Sequence, residues 1–213
     1  MGLVAYGCKI VDEVDIVTEK MIDEKFHIDT CGRDDSSEDN EHRAYEPTPY
    51  DILDLIVDSG FITKNDNVVD MGSGKGRVAI YLSNQIGCKV AGVEYDEKIY
   101  NQALENLNSA TMDNKASFVN VSAEEYDVLP EDTVFFFFNP FSEKILETVL
   151  NNIINSYYEN NREIKLIFYY PSLEYVGRLM TNDLLEFVDE IDCSHLYKDS
   201  KGRECIMFFS VGD

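Results

Sequence analysis

Between Val68 and Ala79 the chain reads "VVDMGSGKGRVA". Glycines at 72, 74 and 76 alternate with other residues directly after an apolar run that carries Asp70. Glycines so spaced let backbone approach a ligand closely. A phosphate-cradling loop would need four residues between two glycines, then Lys and Ser or Thr. The chain has Gly74-Lys75-Gly76-Arg77 instead. A dinucleotide loop reads G-x-G-x-x-G, and Arg77 takes its sixth place. Asp70 points elsewhere, because a carboxylate there repels a pyrophosphate and attracts an ammonium group. A second acid, Glu94, follows Asp70 by 24 residues, the length of one β-α-β unit. Acids at the end of a second strand commonly bind ribose hydroxyls. S-adenosylmethionine joins a nucleoside to a cationic amino acid and meets both demands. Asp70 would face its methionine end and Glu94 its ribose, with Gly72 and Gly74 letting the backbone come close.

These residues need strands and helices to hold them. From Pro49 the sequence alternates the two. "YEPTPYDILDLIVDSG" reads as a helix opened near Pro49 and stopped at Gly60, with Ile52, Leu53, Leu55 and Ile56 as its apolar stripe. "NVVDM", "CKVAGVEY", "ASFVNVS", "TVFFFFN" and "EIKLIFYY" read as strands. "GKGRVAIYLSNQIG", "DEKIYNQALENLNSA" capped by Asp96, and "SEKILETVLNNIINSYY" capped by Ser142 read as the intervening helices. That alternation predicts an α/β, doubly wound, mostly parallel sheet covered on both faces. "FFFF" is then a strand buried on both sides, and Arg77 a solvated helix residue. "LLEFVDEIDCSHLY" and "ECIMFFSVG", around "KDSKGR", predict a C-terminal antiparallel hairpin.

Residues 1–46 differ. "VDEVDIVTEKMIDEKF" spaces Val11, Val14, Val17, Met21, Ile22 and Phe26 for an amphipathic helix. No apolar residue lies between Gly32 and Arg43, which predicts an acidic mobile loop. Its acids fail the calcium-loop pattern, with Asp39 and Tyr45 where Gly and Glu are required. The expected division is therefore 1–46, helix and loop, and 47–213, the ligand-binding domain.

"VVDMGSGKGR" followed by "GVEYD" resembles motifs I and II of the class I S-adenosylmethionine-dependent methyltransferases. The resemblance runs from about Tyr45 to Val211 and implies a Rossmann-like seven-stranded sheet with the terminal hairpin. "YEPTPYDIL", "DMGSGKGRV", "GVE" and "FFFFNPF" resemble, more narrowly, a bacterial subgroup of small methyltransferases with mostly unassigned substrates. The resemblance implies that Asp70, Gly72, Ser73 and Gly74 line the methionine end, with Glu94 at the ribose. It implies that Tyr95 packs on adenine, that Ser122 and Ala123 touch it, and that Tyr45 and Thr48 close over the cofactor. Ser122 stands where the family usually has an acid; Glu124 is the nearby substitute. Asn139 would end the fourth strand beside the transferred methyl. "NPF" is similar to the Asn/Asp-Pro-Pro-Tyr/Phe motif of amino-methylating enzymes, with one proline of the two. By that likeness Asn139 and Phe141 would orient the acceptor, with Tyr45 or Tyr170 near it.

Composition bounds the partners. The 213 residues carry a net charge of −23, which argues against a nucleic-acid substrate, since polyanion binding needs a basic footprint. The acceptor expected is a small molecule or a protein, with S-adenosylhomocysteine as the product. A non-catalytic module that binds cofactor or product, and a nicotinamide-dependent oxidoreductase, are the competing readings. Five scattered cysteines (8, 31, 88, 193, 205) and three histidines predict no metal site, and free thiols suit a cytoplasmic protein. No signal peptide or membrane span is expected. Oligomeric state has no signature in the sequence.

Overall fold

In this computed structural model, residues 4–6, 9–11, 13–36, 38–197 and 204–212 are described. Cys8 and the hairpin turn 198–203 lie outside them, as do the side chains of Val11 and Val14. The chain begins with a two-stranded ribbon, β1 (Val4–Tyr6) and β2 (Lys9–Val11), then α1 (Glu13–Phe26) and α2 (Tyr50–Asp58). The alternating body follows: β3 (Asn67–Met71), α3 (Arg77–Ile86), β4 (Lys89–Glu94), α4 (Glu97–Ser109) and β5 (Ala116–Asn120). It continues with β6 (Val134–Phe137), α5 (Glu143–Glu159), β7 (Ile164–Tyr169), α6 (Leu173–Met180), β8 (Leu185–Asp192) and β9 (Cys205–Val211).

The last seven strands form one sheet in the order β5-β4-β3-β6-β7-β9-β8. β3 to β7 are parallel, and β9 runs antiparallel to both β7 and β8. This is the Rossmann-like doubly wound sheet, with its C-terminal hairpin, that the alternation predicts. From β3 the chain moves outward to β4 and β5, then returns to place β6 on the other side of β3. The strand order thus reverses between β3 and β6. The crevice beyond the carboxyl ends of those strands is where open α/β sheets bind ligands.

The sheet divides two cores. Phe136 contributes to one, while Phe135 and Phe137 contribute to the other, because successive side chains of a strand point to opposite faces. The "FFFF" run is therefore a core strand through Phe137. Sequence-expected caps also form: Asp96 and Ser142 accept hydrogen bonds from Ile99 and Ile145 N–H, and Gly87 ends α3 at φ 77°. α6 is an addition to the expected elements. It is only eight residues long and is capped by Ser172.

The N-terminal helix forms where expected but presents a different face. Met21 and Val17 are 63% and 57% exposed, whereas Phe26 and the charged Asp23 are buried. The inward stripe is Glu19, Ile22, Asp23 and Phe26. The polar residues in that stripe face Arg77, which is 2% exposed at the first turn of α3 rather than solvated. The acidic segment after α1 packs back onto the body. Asp34 pairs with Tyr45, His42 with Phe141, and Lys98 reaches Asp34 at 2.8 Å.

Candidate functional site

A cavity of ≈350 Å³ opens at the β3/β6 reversal point. Its floor comes from the loops that follow β3, β4, β5, β6 and β7. Its roof comes from the segment 33–48.

The glycine loop is set by backbone conformations that side chains resist. Gly72, Gly74 and Gly76 have φ of 84°, 54° and 88°. A Cβ on Gly72 would lie 2.5 Å from Pro140 Cβ, and one on Gly74 would lie 2.3 Å from the Tyr45 ring. Each glycine therefore brings a second wall of the site against the loop. The N–H groups of Gly72 and Ser73 both donate to Val93 O at 2.9 Å, which ties the loop to the end of β4.

Asp70 and Glu94 line the same cavity from adjacent strands. Asp70 is 2% exposed, and its Oδ2 has no hydrogen-bond partner. Burial, and secondarily the Glu94 charge, push its pKa up to about 8. Such a carboxyl invites a cation, whose charge would restore the ionised form. Glu94 is held differently: Oε2 accepts from Gly74 N–H and Oε1 from Asp96 N–H, both at 2.9 Å. Burial raises its pKa, and these backbone bonds oppose the shift. Tyr95 N–H is a third backbone donor to Glu94, and an ionised carboxylate has about four acceptor positions, which leaves room to accept a hydroxyl hydrogen. Glu94→Gln puts an amide donor against one of these N–H donors. We expect cofactor affinity to fall on the order of tenfold, measured by calorimetry with S-adenosylhomocysteine; unchanged affinity would remove Glu94 from the binding set.

Buried polar atoms without partners mark what the cavity is built to receive. Among the described residues these are Asp70 Oδ2, Ser73 Oγ, Glu124 Oε2, Asn139 Oδ1 and Gln102 Oε1. The first four belong to residues on the cavity wall. Asn139 also adopts φ 42° and Tyr170 φ 50°, backbone positions uncommon outside glycine that concentrate at functional sites.

The fold brings Tyr45, Thr48, Asp70, Gly72, Ser73, Gly74, Glu94, Tyr95, Ala123, Asn139, Phe141 and Tyr170 to one cavity. Ser122 is off the wall that Val121, Ala123 and Glu124 line; extended backbone at Ser122 alternates it away, and it leads into the short turn Ala123–Glu125. Phe141 reaches the wall, but it is 3% exposed and its ring stands edge-on to Phe137 in the core. It is not presented as a stacking platform. Phe138, half-buried against Tyr169 at 4.6 Å, is the more open aromatic. The Pro140 carbonyl accepts from Arg43 N–H at 3.0 Å.

Of the roof, sequence reasoning placed Tyr45 and Thr48 and missed the rest. His42 stacks on Tyr95, with centroids 4.0 Å apart and planes at 20°, and Asp39 holds the His42 ring through Nδ1. Arg33, Glu38 and Arg43 also line the cavity. The run of polar residues carried no periodicity that could have announced these contacts. Among the described residues no cluster of His, Cys, Asp and Glu could hold a metal, and no helix is long and apolar enough to cross a membrane.

Residues 68–157 match the family model described as a methyltransferase domain. The chain is 29% identical over 97 residues to a protein-lysine N-methyltransferase of Saccharolobus islandicus, covering 45% of this chain and 60% of that protein. Its fold is similar to that of an RNA methyltransferase from Salinibacter ruber solved with S-adenosylhomocysteine. There the TM-score is 0.58 at 19% identity, over 79% of this chain and 95% of that one. A human methyltransferase 10 domain containing protein gives 0.59 at 12% identity, over 93% and 96%. The unpartnered Asp70 and Ser73 atoms and the remaining acceptor capacity of Glu94 fit an ammonium group and a ribose hydroxyl. The glycine loop, the paired acids, the strand order and the matched segment thus converge: residues 68–157 match a methyltransferase domain, and the fold is that of S-adenosylmethionine-dependent methyltransferases.

Proposed function

We propose that this protein transfers a methyl group from S-adenosylmethionine to an amine, the side chain of a protein lysine being the favoured acceptor. The observation that carries the reading is Asn139 Oδ1: a buried hydrogen-bond acceptor, without a partner, on the same wall as Asp70 and Ser73. When bound, S-adenosylmethionine supplies a sulfonium-activated methyl that an acceptor lone pair takes by in-line displacement. The protein's task is then alignment and exclusion of water. Asp70 holds the ammonium end, Glu94 the ribose, and Gly72 and Gly74 the close backbone approach. Asn139 Oδ1 accepts an N–H hydrogen of the neutral amine, whose extra proton has passed to solvent, and so aims its lone pair at the methyl as S-adenosylhomocysteine leaves. Tyr45 and Thr48 close the roof, and Phe138 and Tyr170 form the aromatic sides of the acceptor end.

Three facts favour an aliphatic amine over a nucleobase. The Phe141 ring is packed into the core rather than offered for stacking. The Pro140 carbonyl, which in the amino-methylating motif would take a second amine hydrogen, is engaged by Arg43. The net charge of −23 attracts cationic partners and repels nucleic acid. The relative from Saccharolobus islandicus carries the protein-lysine activity in its name; the small-molecule amine is the other acceptor of this class. The four described cysteines are free thiols, in keeping with a cytoplasmic enzyme.

The test is transfer of a labelled methyl group to a lysine-rich protein, to the same protein with its lysines acetylated, and to RNA. Label on the first alone supports the reading; label on RNA, or on the acetylated protein equally, overturns the lysine assignment. In the same assay Asn139→Ala should lower turnover about hundredfold through misalignment, with S-adenosylhomocysteine affinity within about twofold of the parent. Retained turnover would take Asn139 out of the site.

A further inference from the structure

Arg77 occupies the place where a dinucleotide loop has its third glycine, and it is buried. A guanidinium has five N–H donors in a fixed fork, and five acceptors surround this one. Nε donates to Thr30 Oγ1 at 2.7 Å, and Nη1 to Thr48 O at 3.1 Å and to Glu19 Oε2. Nη2 donates to Asp23 Oδ1 at 3.4 Å and to Cys31 Sγ at 3.3 Å. The Tyr50 ring lies 4.2 Å from its centre. With every donor engaged, Arg77 has none left to clamp a ligand carboxylate, although it borders the cavity.

All five acceptors lie N-terminal to α2, and they control the roof. Asp23 accepts from Thr30 N–H at 2.6 Å, Thr30 Oγ1 at 2.8 Å and Tyr50 O–H at 2.5 Å. Thr30 O accepts from Tyr45 O–H at 2.5 Å, and the Tyr45 ring is the group that a Cβ on Gly74 would strike. The contacts close a circuit from Arg77 through Thr30 and Tyr45 back to Gly74, in the same loop. A buried charge is a costly way to fill a core that an aliphatic side chain would fill as stably. What the fork adds is direction, because it fixes where each acceptor sits.

We propose that Arg77 is a positioning residue that makes the N-terminal segment a wall of the cofactor site, so that helix α1 and the segment 30–48 close only on a correctly formed glycine loop. The proposal rests on the S-adenosylmethionine reading of the cavity. It implies that cofactor affinity depends on contacts made by Glu19 and Asp23, which do not line the cavity.

The experiment compares the parent chain with Arg77→Met, Arg77→Lys and Glu19→Gln. Each is titrated calorimetrically with S-adenosylhomocysteine, below the unfolding transition measured for that variant. Trypsin cleavage at Arg33 and Arg43 is followed with and without the ligand. The parent should bind, and ligand should slow cleavage of the segment. Arg77→Met should weaken affinity about thirtyfold. Arg77→Lys keeps the charge without the fork and should recover only part of the loss. Glu19→Gln should cost about fivefold. In all three, cleavage should be faster and less protected by ligand. A purely structural role would lower the unfolding temperature and leave affinity and protection at parental values; that result overturns the proposal. If Arg77→Met does not fold, Glu19→Gln decides by the same criterion. Failure of the parent to bind would instead refute the cofactor reading, an outcome visible before any variant is tested.

Discussion

Asp70→Asn should abolish the pH dependence of cofactor binding and weaken it on the order of hundredfold at pH 8.5, a loss of about 3 kcal/mol for one partner of a buried charge pair. In the free protein burial holds the Asp70 pKa at about 8, so the group is protonated below that pH. An incoming ammonium favours the carboxylate, and the proton must leave as the ligand binds. Affinity of the parent should therefore rise with pH up to about 8, by nearly tenfold per unit at the acid end, with release of about one proton. Asn cannot ionise, so its affinity should be flat. The two curves should meet near pH 6, where the parent's cost of deprotonation cancels its advantage. Calorimetry with S-adenosylhomocysteine in buffers of different ionisation enthalpy reads both quantities. A parent that binds without proton release would place the ammonium elsewhere.

The same shift has a sign for folding. A carboxyl whose pKa is raised by folding stabilises the folded state fully below its ordinary range and loses that contribution as pH rises through about 8. The empty protein should thus lose stability from this group between pH 4 and 8, and ligand should restore it most at the alkaline end.

Gly72→Ala is expected to damage both halves of the site together. The added Cβ would lie 2.5 Å from Pro140 Cβ, at a φ of 84° that non-glycine residues resist. Proline has no rotamer with which to withdraw, and the Pro140 carbonyl is fixed by Arg43. Backbone strain and overpacking together cost about 2–4 kcal/mol, or a fall in melting temperature of roughly 5–15 °C for a chain of this size. Because Asn139 precedes Pro140 at φ 42°, the displacement should reach the Asn139 side of the cavity as well as the glycine loop. Calorimetry and thermal unfolding should both register it. A variant with parental melting temperature and affinity would mean that the two loops are not in contact in solution.

The features legible in the residues alone are local in origin. Strand alternation, a glycine loop and one acid at the end of each of two consecutive strands lie within a single β-α-β unit. Their spacing is set by strand and helix lengths, so Asp70, Gly72, Gly74 and Glu94 could be read as one site before any contact was known. Asn139 was placed beside that site by the resemblance of "NPF" alone, since right-handed crossovers allow more than one strand order and the β3/β6 reversal that brings it there is seen only in the fold.

Beyond Tyr45 and Thr48, the roof and its support became visible only in the folded chain. Arg77 meets Thr30, Thr48 and Glu19 across 47, 29 and 58 residues of sequence, and polar pairs so distant leave no periodic trace. For the same reason Asp23 was invisible within a stripe that read as apolar, and His42 within a run that read as solvated. Phe141 shows the converse. Its motif gave the residue a place beside the acceptor, and it does line the cavity, but its ring is 3% exposed and stands edge-on to Phe137. Local periodicity positions backbone; which side chains then face a ligand is fixed by long-range burial of charge and aromatic surface.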